Sequence, residues 1–415
     1  MGKIMKTLLL TDKVLSQIAK SSVHLRVEDT FMDHLEGPDF AQTIELTPKI
    51  WWAGAVDVQS PFQCHPYLLD DGEEAVLFEP GSMNAFPTVL KKISQTIPLR
   101  KIRYIVLSHQ DADLAGSLPE WEKVLGRGVQ VVTHSRTAVL LRHYGASLPY
   151  YLIDRNNWSL PLSSGRTLRF LFAPWCHCPG TFMTYDGASR TLFSGDIFGA
   201  ITYLWTLRAG EHYDEAMRSF HEDYMASTVH LKHALSKLAS LSIDRILPQH
   251  GSILDTNVPF YIQTLLNFRC GIDLLCGKKP SKDRLNISME ETDGTPGRNS
   301  FSRSQTGVGI AGKGYRDVVT MVLERQMGVL GKENTLSVAR GVPGLEVDDQ
   351  GSVLGIREEE GDEILDRLLR CFEQHFGIWA VLNCRLMLHD LLREYGMAMP
   401  ASLMKSTVND TDLSP

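Results

Sequence analysis

The chain has 415 residues, of which 43% are hydrophobic and 22% charged, and its formal net charge is −7. This composition is typical of a soluble globular protein, and the length predicts two domains. An acidic balance without lysine and arginine clusters argues against a nucleic-acid partner. The N-terminal MGKIMKTLLLTDKV is not apolar enough for a signal peptide, and no run approaches the ~20 apolar residues of a membrane span. We therefore expect a cytoplasmic protein with no membrane partner.

The seven cysteines do not suggest a disulfide framework, because their number is odd and they are scattered through a long chain. Cys176 and Cys178 flank His177, an arrangement compatible with a metal or redox site. In a strand-like context, however, cysteine is more often a small buried apolar residue, and we favour that interpretation. The others show no zinc-type spacing; they are Cys64, Cys270, Cys276, Cys371 and Cys384.

Between residues 50 and 254, short apolar runs alternate with segments of helical periodicity. Residues 67–81 (YLLDDGEEAVLFEPG) predict a β-hairpin, because Asp-Asp-Gly joins two alternating runs. Helical periodicity marks residues 116–125, 136–144 and 213–240. Strands interleaved with helices predict a layered α/β domain.

The composition changes after this region. Residues 277–314 are polar, rich in Gly, Ser and Lys, and without apolar periodicity, which predicts a linker. Residues 315–330 and 361–395 carry helical periodicity, and the segment between them contains turn signals and a short hairpin. We expect a first domain over residues 1–276, a mainly helical output or dimerisation domain over residues 315–404, and a frayed tail over residues 405–415.

Side chains that bind metals come directly after several of the predicted strands. In chain order these are His109, Asp111, Asp113, His177, Asp196 and His250. The carboxyl ends of strands in α/β sheets open on one crevice, so the side chains are expected to converge. An extended segment would point the side chains of His109, Asp111 and Asp113 in the same direction. A compact turn would instead divide these side chains between two neighbouring ions. A single histidine after a strand is more often structural, and it is the ordered set that predicts a metal site.

The order of these donors resembles the metallo-β-lactamase superfamily, whose first motif is usually His-x-His-x-Asp-His, followed by a histidine, an aspartate and a final histidine. The likeness extends over residues 45–255 and includes LFSGDIFG and ILPQHGSIL. It implies an α/β fold, the metallo-β-lactamase-type αβ/βα sandwich, followed here by the helical C-terminal domain. In this chain the first motif reads His109-x-Asp111-x-Asp113-Leu114, which departs from the usual pattern twice.

The first departure resembles the flavodiiron and oxygen-binding di-iron proteins (ODPs), in which a carboxylate replaces the second histidine. Asp111 matches that carboxylate in type although it is shorter, and a carboxylate-rich set suits iron better than zinc. The resemblance implies two non-haem iron ions, with zinc or manganese as the alternative. It assigns His109, Asp111 and His177 to one ion and Asp113 and His250 to the other, with Asp196 bridging. It also makes Asp113 and Asp196 the expected catalytic residues.

The second departure is Leu114, at the position that normally adds a histidine to the second ion. The second site is then weak or empty, or it keeps an open coordination position for dioxygen, or another side chain supplies the ligand. His65 and His134 are candidates for that replacement. We favour the open position, because the other expected ligands of the second ion remain. Trp175, Phe198 and Tyr203 are candidates for the wall of the pocket.

The resemblance implies a protein that binds dioxygen or nitric oxide, for sensing or for slow reduction. Flavodiiron proteins receive electrons from a flavodoxin-like domain, but residues 315–400 lack a strand followed by a phosphate-binding loop. We therefore expect that electrons come from a separate electron-donor protein or are not needed for turnover, and by analogy we expect a homodimer. The alternative is a binuclear metal-dependent hydrolase of a phosphodiester, ester or thioester. Asp111 and Leu114 count against it, since they replace imidazoles on which a di-zinc site relies; an interaction protein with a degenerate site is the least favoured alternative.

Overall fold

The computed structural model describes residues 38–57, 60–276, 314–357 and 360–404. The predicted linker lies outside the described residues except for Gly314, and the predicted tail lies wholly outside them. Within the described ranges, no helix combines the length and the apolar character needed to cross a membrane.

Two sheets form the centre of the N-terminal region. The strands of the first sheet are β1 (Ile44–Thr47), β2 (Ile50–Trp52), β3 (Tyr67–Asp70), β4 (Ala75–Phe78), β5 (Ile102–Val106), β6 (Gln130–Thr133) and β7 (Tyr150–Leu152). The strands of the second sheet are β8 (Ser159–Pro161), β9 (Thr167–Phe172), β10 (Phe182–Asp186), β11 (Thr191–Gly195) and β12 (Arg245–Pro248).

Strand pairing gives each sheet one antiparallel and one parallel part. The first sheet runs in order from β1 to β7, antiparallel as far as β4 and parallel from β4 onwards. The second sheet has the order β12-β11-β10-β9-β8, and only its β11–β12 pair is parallel. The hairpin predicted over residues 67–81 is confirmed as β3 and β4.

Alternation along the strands divides the apolar side chains between two layers. In β4, Val76 and Phe78 belong to the core between the sheets, whereas Ala75 and Leu77 belong to the core beneath the outer helices. The Phe78 ring stacks on Phe193 of β11, with the ring centroids 3.8 Å apart. An apolar layer therefore holds the two sheets face to face.

Helices cover the outer face of each sheet. They are α1 (Phe86–Thr96), α2 (Ala112–Ala115), α3 (Leu118–Leu125), α4 (Ser135–Leu141), α5 (Tyr213–Tyr224), α6 (Thr228–Ser236), α7 (Val258–Leu266) and α8 (Ile272–Cys276). Val89 of α1 and Trp121 of α3 belong to the core on the first sheet, and Phe220 of α5 and Leu231 of α6 belong to the core on the second. The predicted αβ/βα sandwich is confirmed by these layers.

The single helix predicted over residues 213–240 is wrong in its extent, because the chain turns between α5 and α6. Ser227 has extended backbone angles. The Ala226 amide donates to the Trp175 carbonyl at 3.3 Å, and the Ile272 amide donates to the Ala226 carbonyl at 3.1 Å. These bonds to neighbouring segments take the place of helical hydrogen bonds, so the helical pattern is interrupted.

The C-terminal region is mainly helical, as predicted. Its elements are α9 (Tyr315–Leu330), α10 (Lys332–Arg340), a hairpin of β13 (Leu345–Val347) and β14 (Val353–Ile356), α11 (Gly361–Phe376), α12 (Trp379–Tyr395) and α13 (Ala401–Met404). The apolar residues of α11 that repeat at spacings of three and four, among them Leu365, Leu368 and Phe372, enter a core of this region. Helices α9 and α12 also pack against α5 of the sandwich.

A buried ion pair joins α9 to α5. The Arg325 guanidinium donates from Nη1 to Glu222 Oε2 at 2.6 Å and from Nη2 to Glu222 Oε1 at 2.9 Å. Arg325 Nη1 also donates to the Asn383 carbonyl of α12 at 3.2 Å. Burial raises the pKa of the Glu222 carboxyl, and the Arg325 charge opposes that rise. The bidentate ion pair thus neutralises the Glu222 carboxylate, which would otherwise be buried without a partner.

Replacing Arg325 by methionine should lower the free energy of unfolding by about 3–5 kcal/mol, because Glu222 would remain as an uncompensated buried group. Denaturant titration followed by circular dichroism measures this loss. Arg208→Met is the control: its Nε lies 2.7 Å from Asp255 Oδ2 in a pair that is half exposed. That substitution should cost about 0–1 kcal/mol. Equal losses in the two variants would contradict the importance of the buried pair.

Candidate metal centre

The six predicted metal-binding side chains lie together at one edge of the sandwich. His109, Asp111 and Asp113 follow β5, His177 lies between β9 and β10, Asp196 follows β11, and His250 follows β12. Strand β5 runs parallel to β4, and β12 runs parallel to β11. The carboxyl ends of such strands open on one crevice, which explains why residues far apart in sequence meet here.

His109, Asp111 and His177 form the first donor group, with their ligand atoms within 4.8 Å of one another. Asp111 Oδ2 lies 3.3 Å from His177 Nε2 and 3.8 Å from His109 Nε2. His109 is buried, whereas Asp111 and His177 are partly exposed. Two imidazoles and one carboxylate are a donor set typical of non-haem iron.

Cys64, Asp113 and His250 form the second donor group, again with ligand atoms within 4.8 Å of one another. Asp113 Oδ2 lies 3.2 Å from His250 Nε2 and 3.7 Å from Cys64 Sγ. Burial raises the pKa of the Cys64 thiol. Sequence reasoning missed Cys64, because it judged cysteines by their spacing to one another. The predicted hairpin could have indicated Cys64. This residue precedes β3, and the start of β3 lies beside the end of its antiparallel partner β4.

The Asp196 carboxylate lies between the two donor groups and presents one oxygen to each. Its Oδ2 lies 2.9 Å from His177 Nε2 and 3.5 Å from His109 Nε2. Its Oδ1 lies 3.5 Å from His250 Nε2 and, although buried, has no hydrogen-bond partner. A buried carboxylate oxygen without a partner is costly, and a cation at this position would satisfy it.

The charges of the site favour cations. Burial disfavours the ionised form of Asp196, but the imidazoles of His109, His177 and His250 outweigh burial and hold the pKa of Asp196 below its ordinary value. Burial also opposes protonation of His177, yet hydrogen bonds to Asp111 and Asp196 raise the pKa of that imidazole. The carboxylates thus favour a proton on His177, and a metal ion would compensate the same negative charges. The residues fit a two-metal centre.

Hydrogen bonds behind two imidazoles orient the rings. His250 Nδ1 lies 2.8 Å from the Gln63 carbonyl oxygen, a contact that requires Nδ1–H to donate and leaves Nε2 free for a metal. His109 Nδ1 lies 3.0 Å from Ser108 Oγ, which leaves its Nε2 facing Asp196.

Glu79 and Gln249 are site neighbours that sequence reasoning missed. Gln249 Nε2 donates to Asp113 Oδ2 at 2.8 Å. Glu79 accepts the Ser108 amide at 3.1 Å, and burial raises the pKa of its carboxyl to about 8. Glu79 follows β4 and Gln249 follows β12. Their positions directly after strands could have predicted from sequence that they lie near the site.

The residue at the missing histidine and its two suggested replacements all have other contacts. Leu114 is fully buried in the apolar core beneath the outer helices of the first sheet. His65 Nδ1 accepts the Trp52 indole N–H at 2.9 Å, and His134 Nδ1 accepts the Arg136 amide at 3.0 Å. In the part of the chain that the structure describes, neither histidine belongs to a donor group. The suggestion that one of them replaces the missing ligand therefore finds no support.

The aromatic rings that contact the ligand imidazoles differ from those predicted. The Phe62 ring centroid lies 4.0 Å from that of His250, and the Tyr224 centroid lies 5.8 Å from that of His177. The predicted Trp175 is exposed and contacts His230, Phe198 lies in the core on the second sheet, and Tyr203 packs against the C-terminal core. The prediction failed because α5, which carries Tyr224, reaches the site through tertiary packing rather than from a strand end.

Cys176 and Cys178 are buried, which confirms the interpretation of this pair as small core residues. Cys178 Sγ nevertheless lies 3.8 Å from Asp111 Oδ1, and its sulfur accepts the Gln110 side-chain amide at 2.8 Å. Cys178 thus contacts the first donor group through Asp111 but does not belong to it.

Comparison with known proteins shows similarity to one family over the residues that contain the donor groups. Residues 62–251 match the sequence model described as ODP family beta lactamase. Over 235 residues the chain is 26% identical to the nitric oxide reductase of Moorella thermoacetica, covering 51% of this chain and 58% of that protein. The chain spans between 33% and 58% of the length of such curated relatives.

Solved structures agree on the fold. The flavodiiron protein from Giardia intestinalis has a TM-score of 0.51 and 23% identity, covering 55% of this chain and 59% of that chain. The chemotaxis sensor ODP is also similar, with a TM-score of 0.49 and 27% identity over 56% of this chain and 97% of that one. Residues 62–251 are therefore similar to the β-lactamase-like domain that the ODP family model describes, and the Giardia protein shares the fold.

Proposed function

We propose that this chain holds two non-haem iron ions and binds dioxygen or nitric oxide with them, for sensing or for slow reduction. The match to the ODP family model supports the proposal, and so do the relatives: the Moorella protein is named a nitric oxide reductase and the Giardia neighbour a flavodiiron protein. The observation that carries it is the Asp196 carboxylate, which directs Oδ2 to the first donor group and an unpartnered Oδ1 to the second.

The proposed ligand assignment draws on both donor groups. His109, Asp111 and His177 would hold the first ion, Asp113 and His250 would hold the second, and both ions would share Asp196. Bound iron supplies a redox-active centre at which a diatomic gas can be held or reduced. The chain contributes acceptor-only carboxylates, imidazoles oriented by hydrogen bonds, and the Phe62 and Tyr224 rings, which shield part of the site from water.

A separate electron-donor protein is part of the proposal where reduction is the function. The described C-terminal residues form helices and one two-stranded hairpin rather than the doubly wound sheet of a flavodoxin-like domain. The same helical region is proposed as the output or dimerisation unit, in a homodimer. A sensor needs only such an output unit, whereas a reductase also needs the donor.

Asp196→Ala should abolish binding of both ions, because one carboxylate serves both donor groups. Inductively coupled plasma mass spectrometry of protein reconstituted anaerobically with ferrous iron measures the metal content. Asp186→Ala is the control, since Asp186 is equally buried but ends β10 away from the donor groups. It should keep its iron. An Asp196→Ala protein with the full iron content would contradict the bridging role.

Wild-type protein loaded with ferrous iron should develop a new visible or near-ultraviolet absorption band when air or nitric oxide is admitted. The band is expected because binding or reduction of the gas draws electron density from the ferrous iron. Optical spectra recorded before and after the addition test this, and zinc-loaded protein is the matched control that should not respond. Selective binding of zinc, together with hydrolysis of a phosphodiester, ester or thioester, would instead establish the metallohydrolase alternative.

A further inference from the structure

The second donor group lacks the imidazole of the usual motif, since Leu114 occupies that position and is buried in the outer apolar core. Asp113, His250 and Asp196 Oδ1 remain, so one more donor would complete a four-coordinate set. The missing donor must reach the site from another segment.

The thiol of Cys64 occupies the required place. Its sulfur lies 3.7 Å from Asp113 Oδ2, and the ligand atoms of Cys64, Asp113 and His250 all lie within 4.8 Å of one another. Ligands about 2.0–2.3 Å from a tetrahedral metal ion stand about 3.3–3.8 Å from one another, so the separation of the Cys64 sulfur from Asp113 Oδ2 suits a shared ion. The residues before and after Cys64 both bond to the segment that carries His250. The Gln63 carbonyl contacts His250 Nδ1, and the His65 amide donates to the Gln249 carbonyl at 2.8 Å.

Asp196 Oδ1 provides an independent indication of a ligand at this position. It is buried, it has no hydrogen-bond partner, and it faces the second donor group at 3.5 Å from His250 Nε2. If Asp196 Oδ1 accepted a hydrogen bond from a protein donor, it would need no cation at this position. An unpartnered oxygen beside a thiol, a carboxylate and an imidazole is a site that a divalent ion would complete.

Cys178 shows what distinguishes the Cys64 thiol. Both sulfurs lie within 4 Å of a carboxylate of the site. The Cys178 sulfur, however, accepts the Gln110 amide and stands outside the first donor group, which has its own two imidazoles. Of these two cysteines, Cys64 is the one that adjoins the donor group in which Leu114 replaces the usual histidine.

We propose that Cys64 is a thiolate ligand of the second metal ion and takes the place of the histidine lost at Leu114. The inference rests on the proposed two-metal function and replaces the open coordination position expected from the sequence. Binding forms a metal–sulfur bond, and the thiol proton is released to solvent without any change of oxidation state.

Anaerobic titration of metal-free protein with Co²⁺ tests the proposal, because a thiolate bound to Co²⁺ gives a near-ultraviolet charge-transfer band. In the wild type, the band should grow with the second equivalent. In Cys64→Ser and Cys64→Ala the band should be absent, and the affinity for the second ion should fall by at least about tenfold. Cys178→Ser, the matched control, should keep both the band and the affinity.

The outcomes separate the two proposals. Two bound ions without a thiolate band, together with unchanged affinity in Cys64→Ser, would overturn the role of Cys64 and leave the two-metal function intact. Failure of the wild type to bind a second ion at all would overturn the two-metal function itself.

Discussion

The Asp196 carboxylate is the group on which the rest of the site depends. A carboxylate buried this deeply loses its hydration, and the three imidazoles around it hold its pKa below the ordinary value. Those imidazoles come from three different strand ends, so both sheets must pack correctly before the charge is compensated. The site and the sandwich are therefore coupled: the apolar layer between the sheets brings the donors together, and the donors make a buried negative charge tolerable.

The residues that could be predicted from sequence share one property, namely their position at the carboxyl end of a strand. Alternating and apolar runs identify strands, and parallel pairing brings the residues at their carboxyl ends to one edge. This reasoning predicted the layered fold and the six side chains that the structure brings to one edge of the sandwich. The hairpin of β3 and β4 was also predictable, because its turn is encoded locally.

The residues that were missed depend on contacts between distant segments. Cys64 reaches the site because β3 runs antiparallel to β4, so a residue before one strand meets residues after the other. Tyr224 reaches it because α5 packs across the second sheet. The break after α5 likewise results from hydrogen bonds of Ala226 to Trp175 and Ile272, which no local pattern encodes. Helical periodicity continues through that break, and a tertiary contact overrides it.

Helix α5 also connects the metal centre to the C-terminal region. Near its end, Phe220 and Tyr224 contact the imidazoles, while Glu222 between them pairs with Arg325 of α9. A fragment ending at residue 276 would thus contain every proposed ligand but would leave Glu222 without its counter-charge. Such a fragment would have to protonate this carboxyl or expose it to water, next to the rings that line the site. Spectra or metal affinities recorded on an excised β-lactamase-like domain would therefore describe a differently supported centre, and studies of this protein should keep the chain whole.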